Sequence, residues 1–391
     1  MDLFKKAIYL DLQTHFQRKI HHDQLFNCLI YDFLLAQLVI GPLYIFTWRG
    51  TWQNADALFD QQIFSGNLYM STLCVLCLGT MVSASLTFTQ YKIKAWALNG
   101  SQPRFFLISR LFTVMGFYSD LLIWKGIWGF FDYIVYRRVN GTWVTSLCTS
   151  IISTLILFML RSVKSSIGSP MGMGIDRRKL YVSVSTFLST TTDDSYSRRI
   201  QDVLITIPVS FVSIAVFYGY WSGMDHLFEV LGISIEMNST FCTVSYDKYD
   251  RYVNQSRYFQ IFGFVCGLLV FVGQFVFVWW YYKHKVTEEN NSLKKFPKLL
   301  RLLAYDVLLL ISLIGSVASF RGIWNLTDLY FIADNPVASR FVSQLMGLMY
   351  LFLFYSGTSL HGGVVRDNQT VMVPNFFLTY LLSNKEIKTG F

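Results

Sequence analysis

Eight windows of largely apolar residues constrain this chain more than any other feature: 25–48, 66–90, 104–124, 142–160, 202–221, 257–282, 298–320 and 337–360. A helix needs about 20 such residues to cross the hydrocarbon of a bilayer. Backbone polar groups have no water to bond there, so each window is expected to span as a helix. Composition agrees. Apolar residues make up 53% of the chain and charged residues 15%, where a soluble domain carries about 25% charge. This excludes a disordered chain, a fibre and a conventional soluble enzyme. The sequence predicts an all-α, polytopic membrane protein with eight transmembrane helices.

Basic residues set the expected orientation. With a cytosolic amino terminus, 23 of the 33 lysines and arginines fall in inside segments and nine in outside segments. Both termini are therefore expected in the cytosol. The net charge of +9 then reflects topology and attraction to anionic lipid, and does not call for nucleic acid. The chain divides into an N-terminal segment (1–24), a first four-helix half (25–160), a cytosolic linker (161–201), a second four-helix half (202–360) and a C-terminal tail (361–391). Residues 1–24 lack the apolar core of a signal peptide. Phe4, Ile8, Leu12 and Phe16 recur every four residues, which suits either an interfacial amphipathic helix or a solvated tail. Of the glycosylation sequons, Asn238 and Asn254 lie in the longest outside loop and are the expected acceptors.

A motif recurs at the outer end of every odd-numbered span. Its copies are Trp48-Arg49-Gly50-x-Trp52-x-x-x-Asp56, Trp124-Lys125-Gly126-x-Trp128-x-x-x-Asp132, Phe217-Tyr218-Gly219-x-Trp221-x-x-x-Asp225 and Phe320-Arg321-Gly322-x-Trp324-x-x-x-Asp328. The tryptophans are 76, 93 and 103 residues apart, so the loops vary and the motif does not. The eight spans therefore read as four repeated helical hairpins, each an odd span and the even span after it. The glycine suits a left-handed position where a helix ends. The cation suits the negative end of the helix dipole, and the tryptophan suits interfacial depth. Asp lies four residues after Trp, on the same helical face, where it can pair with a cation of its own or a neighbouring unit. Tyr218 stands in the basic place of the third copy, so a ring of ion pairs would lack one cation. The motif reads either as a turn and anchor or as a charged outer vestibule or partner-binding surface.

Near the other end, each odd span carries one charge at matched depth. Asp32, Arg110, Asp202 and Asp306 precede the motif tryptophans by 20, 18, 19 and 18 residues. Charges at membrane depth are costly and face a bundle interior or a wet cavity. They are expected either as a cation or proton site or as a polar knot that fixes packing. Asp120, deeper in the third span, has no equivalent in the other units.

No enzyme constellation emerges. The histidines form no paired set, and Cys74 and Cys77, though at metal-like spacing, sit inside a span as packing residues. No cofactor is expected. Pro42 and Pro208 interrupt the first and fifth spans at unequal offsets from their motifs. Three functions remain: a scaffold, a transporter or channel using the matched-depth charges, and a lipid enzyme, the last disfavoured by the missing ligand sets.

The eight-span plan, the cytosolic termini and the segments Trp48-Arg49-Gly50-Thr51-Trp52 and Phe320 to Asp328 resemble the Fuseless family over roughly residues 25–360. The resemblance implies a neuronal, presynaptic plasma-membrane protein. It implies a non-enzymatic organiser of voltage-gated calcium channels at active zones, with those channels or active-zone proteins as partners beside membrane lipid. It supplies no catalytic residues.

Overall fold

A computed structural model describes residues 34–136, 143–168, 196–230, 261–273, 298–354 and 356–360, with the single positions 182 and 276. The N-terminal segment, Asp32, Asn238, Asn254 and the C-terminal tail lie outside these residues. The described residues form helices joined by short turns, without strands. In chain order they form α1 (Gly41–Ala55), α2 (Leu68–Leu98), α3 (Gln102–Gly129), α4 (Trp143–Leu160), α5 (Tyr196–Val230), α6 (Ile261–Gly273), α7 (Lys298–Tyr330) and α8 (Pro336–Leu353). Six of them, α2, α3, α4, α5, α7 and α8, contain stretches long and apolar enough to cross a membrane, and α6 is a shorter apolar helix. Large apolar side chains cover the outside of the bundle, among them Met81, Met159, Leu269 and Leu345. That surface needs a lipid solvent.

Local sequence explains how these helices tolerate their polar residues. The hydroxyls of Thr47, Thr80, Thr87, Ser150, Ser213 and Ser312 each donate to the carbonyl four residues back, at 2.8–2.9 Å. This bond hides a polar group within its own helix. Pro42 has no N–H to offer the carbonyl of Leu38, and the helix just before it, Leu35–Ile40, is wound as a π-helix. The π form returns after α1, at Asp56–Ile63, and after α3, at Phe130–Tyr136.

The helices therefore do not stop at the motif glycines, which lie inside α1, α3, α5 and α7. The left-handed helix end expected from the sequence is replaced by a different use of glycine. A Cβ on Gly126 would stand 2.5 Å from the Cβ of Leu76 on α2. One on Gly219 would stand 2.7 Å from Ser150 Oγ on α4, one on Gly322 2.6 Å from Phe264 N on α6, and one on Gly50 2.6 Å from Ser343 Oγ on α8. Each glycine is the point where an odd helix meets an even helix backbone to backbone. The closest pairs are thus α2 with α3, α4 with α5, α6 with α7, and α8 with α1. Each odd helix packs most tightly on the even helix before it, and α1 closes the circle on α8.

The segments after α4 and α8 turn back into the bundle. Ser162 N–H donates to Leu157 O at 2.9 Å, and Ser165 N–H to Ser162 O at 3.0 Å. The same bonds recur 194 residues later, from Ser356 to Leu351 at 2.8 Å and from Ser359 to Ser356 at 3.0 Å. Both segments then form one 3-10 turn, Val163–Ser166 and Gly357–Leu360. Val163 and Leu360 are fully buried in one core with Leu157, Leu309, Leu313, Phe217 and Leu351. Ser316 Oγ donates to Gly168 O at 2.9 Å, while Arg161 bonds Asp306. Ten residues of α7 separate those two contacts, about 15 Å of helix, so residues 162–168 climb well into the interior.

Candidate functional site: a closed ring at the motif end

The four motif tryptophans leave the lipid side and meet on the bundle axis. Trp52–Trp128, Trp128–Trp221, Trp221–Trp324 and Trp324–Trp52 lie 5.8, 5.5, 6.3 and 6.3 Å apart between centroids. All four pairs are edge to face, the arrangement favoured by the ring quadrupole. They face one another across the bundle. A second aromatic tier follows from the first motif position. Trp48 to Trp124 is 5.7 Å, Trp124 to Phe217 5.1 Å and Phe217 to Phe320 5.8 Å. Tyr44 completes the tier, 6.2 Å from Phe320 and 6.0 Å from Trp48.

Around the tryptophans runs a ring of polar links, each joining one repeat to the one before it. Arg49 Nε donates to Asp328 Oδ1 at 2.6 Å, and Gln53 Nε2 to the same oxygen at 2.9 Å. Arg49 Nη1 also donates to Ser339 Oγ at 3.2 Å. Lys125 Nζ bonds Asp56, and bonds Asp60 at 2.7 Å; it also lies 5.8 Å from the centre of the Trp52 ring. Arg321 Nε donates to Asp225 Oδ1 at 2.8 Å. The third repeat has no cation, and there Tyr218 Oη donates to Asp132 Oδ1 at 2.6 Å. The cations thus serve a carboxylate of the neighbouring repeat rather than their own helix end. Arg49 and Arg321 keep only 4% and 3% of their side-chain surface exposed, against 24% and 31% for Asp328 and Asp225. The guanidinium groups are buried among the helices while the carboxylates reach the mouth.

Three of the matched-depth charges, Arg110, Asp202 and Asp306, fall among the described residues. Asp306 pairs with Arg161 at 2.7 Å. Arg110, 8% exposed, donates to Phe352 O at 3.5 Å and lies over the Phe106 and Phe352 rings at 4.7 and 4.8 Å. Asp202 is buried near the start of α5. Asp60 and Arg161 escape a reading by repeats. The positions equivalent to Asp60 are Tyr136, Glu229 and Ile332, so the acid recurs in only one other copy, and Arg161 falls one residue past an apolar window. The recurrence of Leu157-to-Ser165 in Leu351-to-Ser359 was the available signal for the two inward turns. Cys74 and Cys77 face outward as free thiols instead of packing inside.

These features define a class: a multi-pass helical membrane bundle with a repeated motif, closed at one end by paired charges and edge-to-face aromatics. The sequence model of the Fuseless family matches residues 27–360, and the chain belongs to that family. No curated protein and no solved structure matches it.

Proposed function

We propose that this chain is a non-enzymatic, non-conducting scaffold of the plasma membrane, with both termini in the cytosol. Following the family, its role is to organise voltage-gated calcium channels at presynaptic active zones and so support evoked transmitter release. The observation that favours a scaffold is the filled axis. Two aromatic tiers and a ring of polar links occupy the motif end, and the inward turns fill the interior below them. A transporter would need that ring to part in each cycle. In vesicles, the purified protein is expected to pass ions and small solutes at the rate of empty lipid. In neurons, its loss is expected to displace calcium channels from release sites. A current or flux that Asp306→Asn or Arg110→Gln abolishes would overturn the reading in favour of a transporter.

A further inference from the structure

The bundle has an open groove that the ring does not use. It lies between α2, α3 and α5 and encloses about 170 Å³. Leu76, Thr80, Ser83, Ala84 and Thr87 form one wall, Ile123 and Ile127 the back, and Val203, Thr206, Ile207, Ser210 and Phe211 the other wall. The hydroxyls of Thr80 and Thr87 are turned into their own helix, so those two residues offer methyl groups. The groove is apolar, and it lies among helices long and apolar enough to cross a membrane.

What closes one end of it is charged. Residues 76, 80, 83, 84 and 87 lie on one face of α2, and Tyr91 and Lys94 continue that face at helical spacing. On α5, Val203 and Thr206 are continued in the other direction by Arg199. The Arg199 guanidinium sits 4.4 Å over the Tyr91 ring and donates to Phe88 O at 3.4 Å. Arg199 therefore bridges the two walls one turn beyond the groove, at the end opposite the tryptophan ring. Arg104, stacked over Trp96 at 4.4 Å, belongs to the same end of the bundle. An apolar slot at hydrocarbon depth, ending at cations and amphipathic rings, has the layout of an anionic lipid.

We propose that this groove is a binding site for an anionic glycerophospholipid, with an acyl chain between α2 and α5 and the headgroup at Arg199 and Lys94. The acyl chain replaces mobile bilayer lipid against a fixed apolar wall. The headgroup supplies selectivity, since a cation near an anionic headgroup changes affinity by roughly fivefold.

The test uses the full-length protein in nanodiscs and three probes with the same acyl chains: phosphatidylcholine, phosphatidylserine and phosphatidylinositol bisphosphate. Native mass spectrometry is expected to show one retained phospholipid, with either anionic probe favoured several-fold over phosphatidylcholine. Arg199→Gln should cut that preference roughly fivefold, and Arg199→Gln with Lys94→Gln should bring it close to parity, while a lipid is still retained. Ala84→Phe and Thr206→Phe fill the groove from opposite walls, and each should remove the retained lipid. A photoreactive acyl chain on phosphatidylserine should label wild-type peptides within 76–87 and 203–211, a readout independent of whether any variant folds. The proposal falls if label goes to other helices, if phosphatidylcholine or a sterol occupies the groove as readily as the anionic probes, or if folded Ala84→Phe and Thr206→Phe keep the lipid.

Discussion

Arg49 and Asp328 show what a single link of the ring contributes. Arg49 is buried and Asp328 reaches the mouth, about a quarter exposed, and a pair with a buried member need not be worth more than a well-packed apolar pair. Removing one partner is different, because the other charge stays buried and unmatched. Asp328→Leu alone should therefore destabilise the protein by about 3–5 kcal/mol, and Arg49→Met by less, because Asp328 is partly exposed and keeps its bond from Gln53. The double variant should recover much of the loss. Thermal unfolding of the four proteins in one detergent checks this, and strictly additive losses would show that the pair is not coupled. Tyr218 fits the same logic. A neutral phenol meets Asp132 without charge, so the ring keeps its geometry at that link without a cation. The sequence disclosed these residues through their spacing, including the missing cation at Tyr218. It did not disclose which neighbour each carboxylate joins. That direction depends on how whole helices lie against one another, and no local spacing carries it. Asp60 and Arg161 were hidden for a simpler reason: neither recurs through all the repeats.

At the level of elements, the motif glycine separates two physical uses of the same residue. A glycine before a predicted loop suggests a left-handed helix end. Here the loop begins later, because the π-helical turns carry the chain past Asp56 and Asp132. What glycine supplies is the absence of a Cβ where two helices touch. Gly126→Val should therefore disrupt the α2–α3 contact without altering backbone preference at a turn, at a cost of about 1–3 kcal/mol for overpacking. Shortening the facing residue, Leu76→Ala, makes room at its Cγ and Cδ atoms but not at its Cβ or backbone. Recovery should then be partial at most, as read from the unfolding midpoint; full recovery would mean that the contact is looser than the structure has it. Six of the eight expected spans were legible because hydropathy is local. Pairing was not, because an odd helix has an even neighbour on either side in sequence, and only packing chooses between them.

The whole molecule is a ring of repeats whose first and last helices meet. Arg49–Asp328, Asn54–Gln344 at 2.6 Å and the Gly50 contact with α8 all join the N-terminal half to the C-terminal half at one seam. Gly219 on Ser150, the Ser146–Ser222 hydroxyl pair at 2.9 Å and Tyr218–Asp132 join them at the other. Hairpins formed by each odd span with the even span after it would instead keep every tight pair within its own half. Cutting the chain distinguishes the two arrangements. A break between residues 180 and 181 leaves each half with four of the eight helices, and both seams must then form between separate chains. Co-expressed halves are expected to purify as one complex, because apolar helix faces, two close glycine contacts and two polar links of the ring cross the break. Arg49→Met in one half with Tyr218→Phe in the other should weaken that complex, since it leaves Asp328 and Asp132 each without its principal donor. Halves that separate cleanly, each monodisperse, would show that the packing unit is the sequential hairpin and that the seams through α1–α8 and α4–α5 do not hold the ring closed.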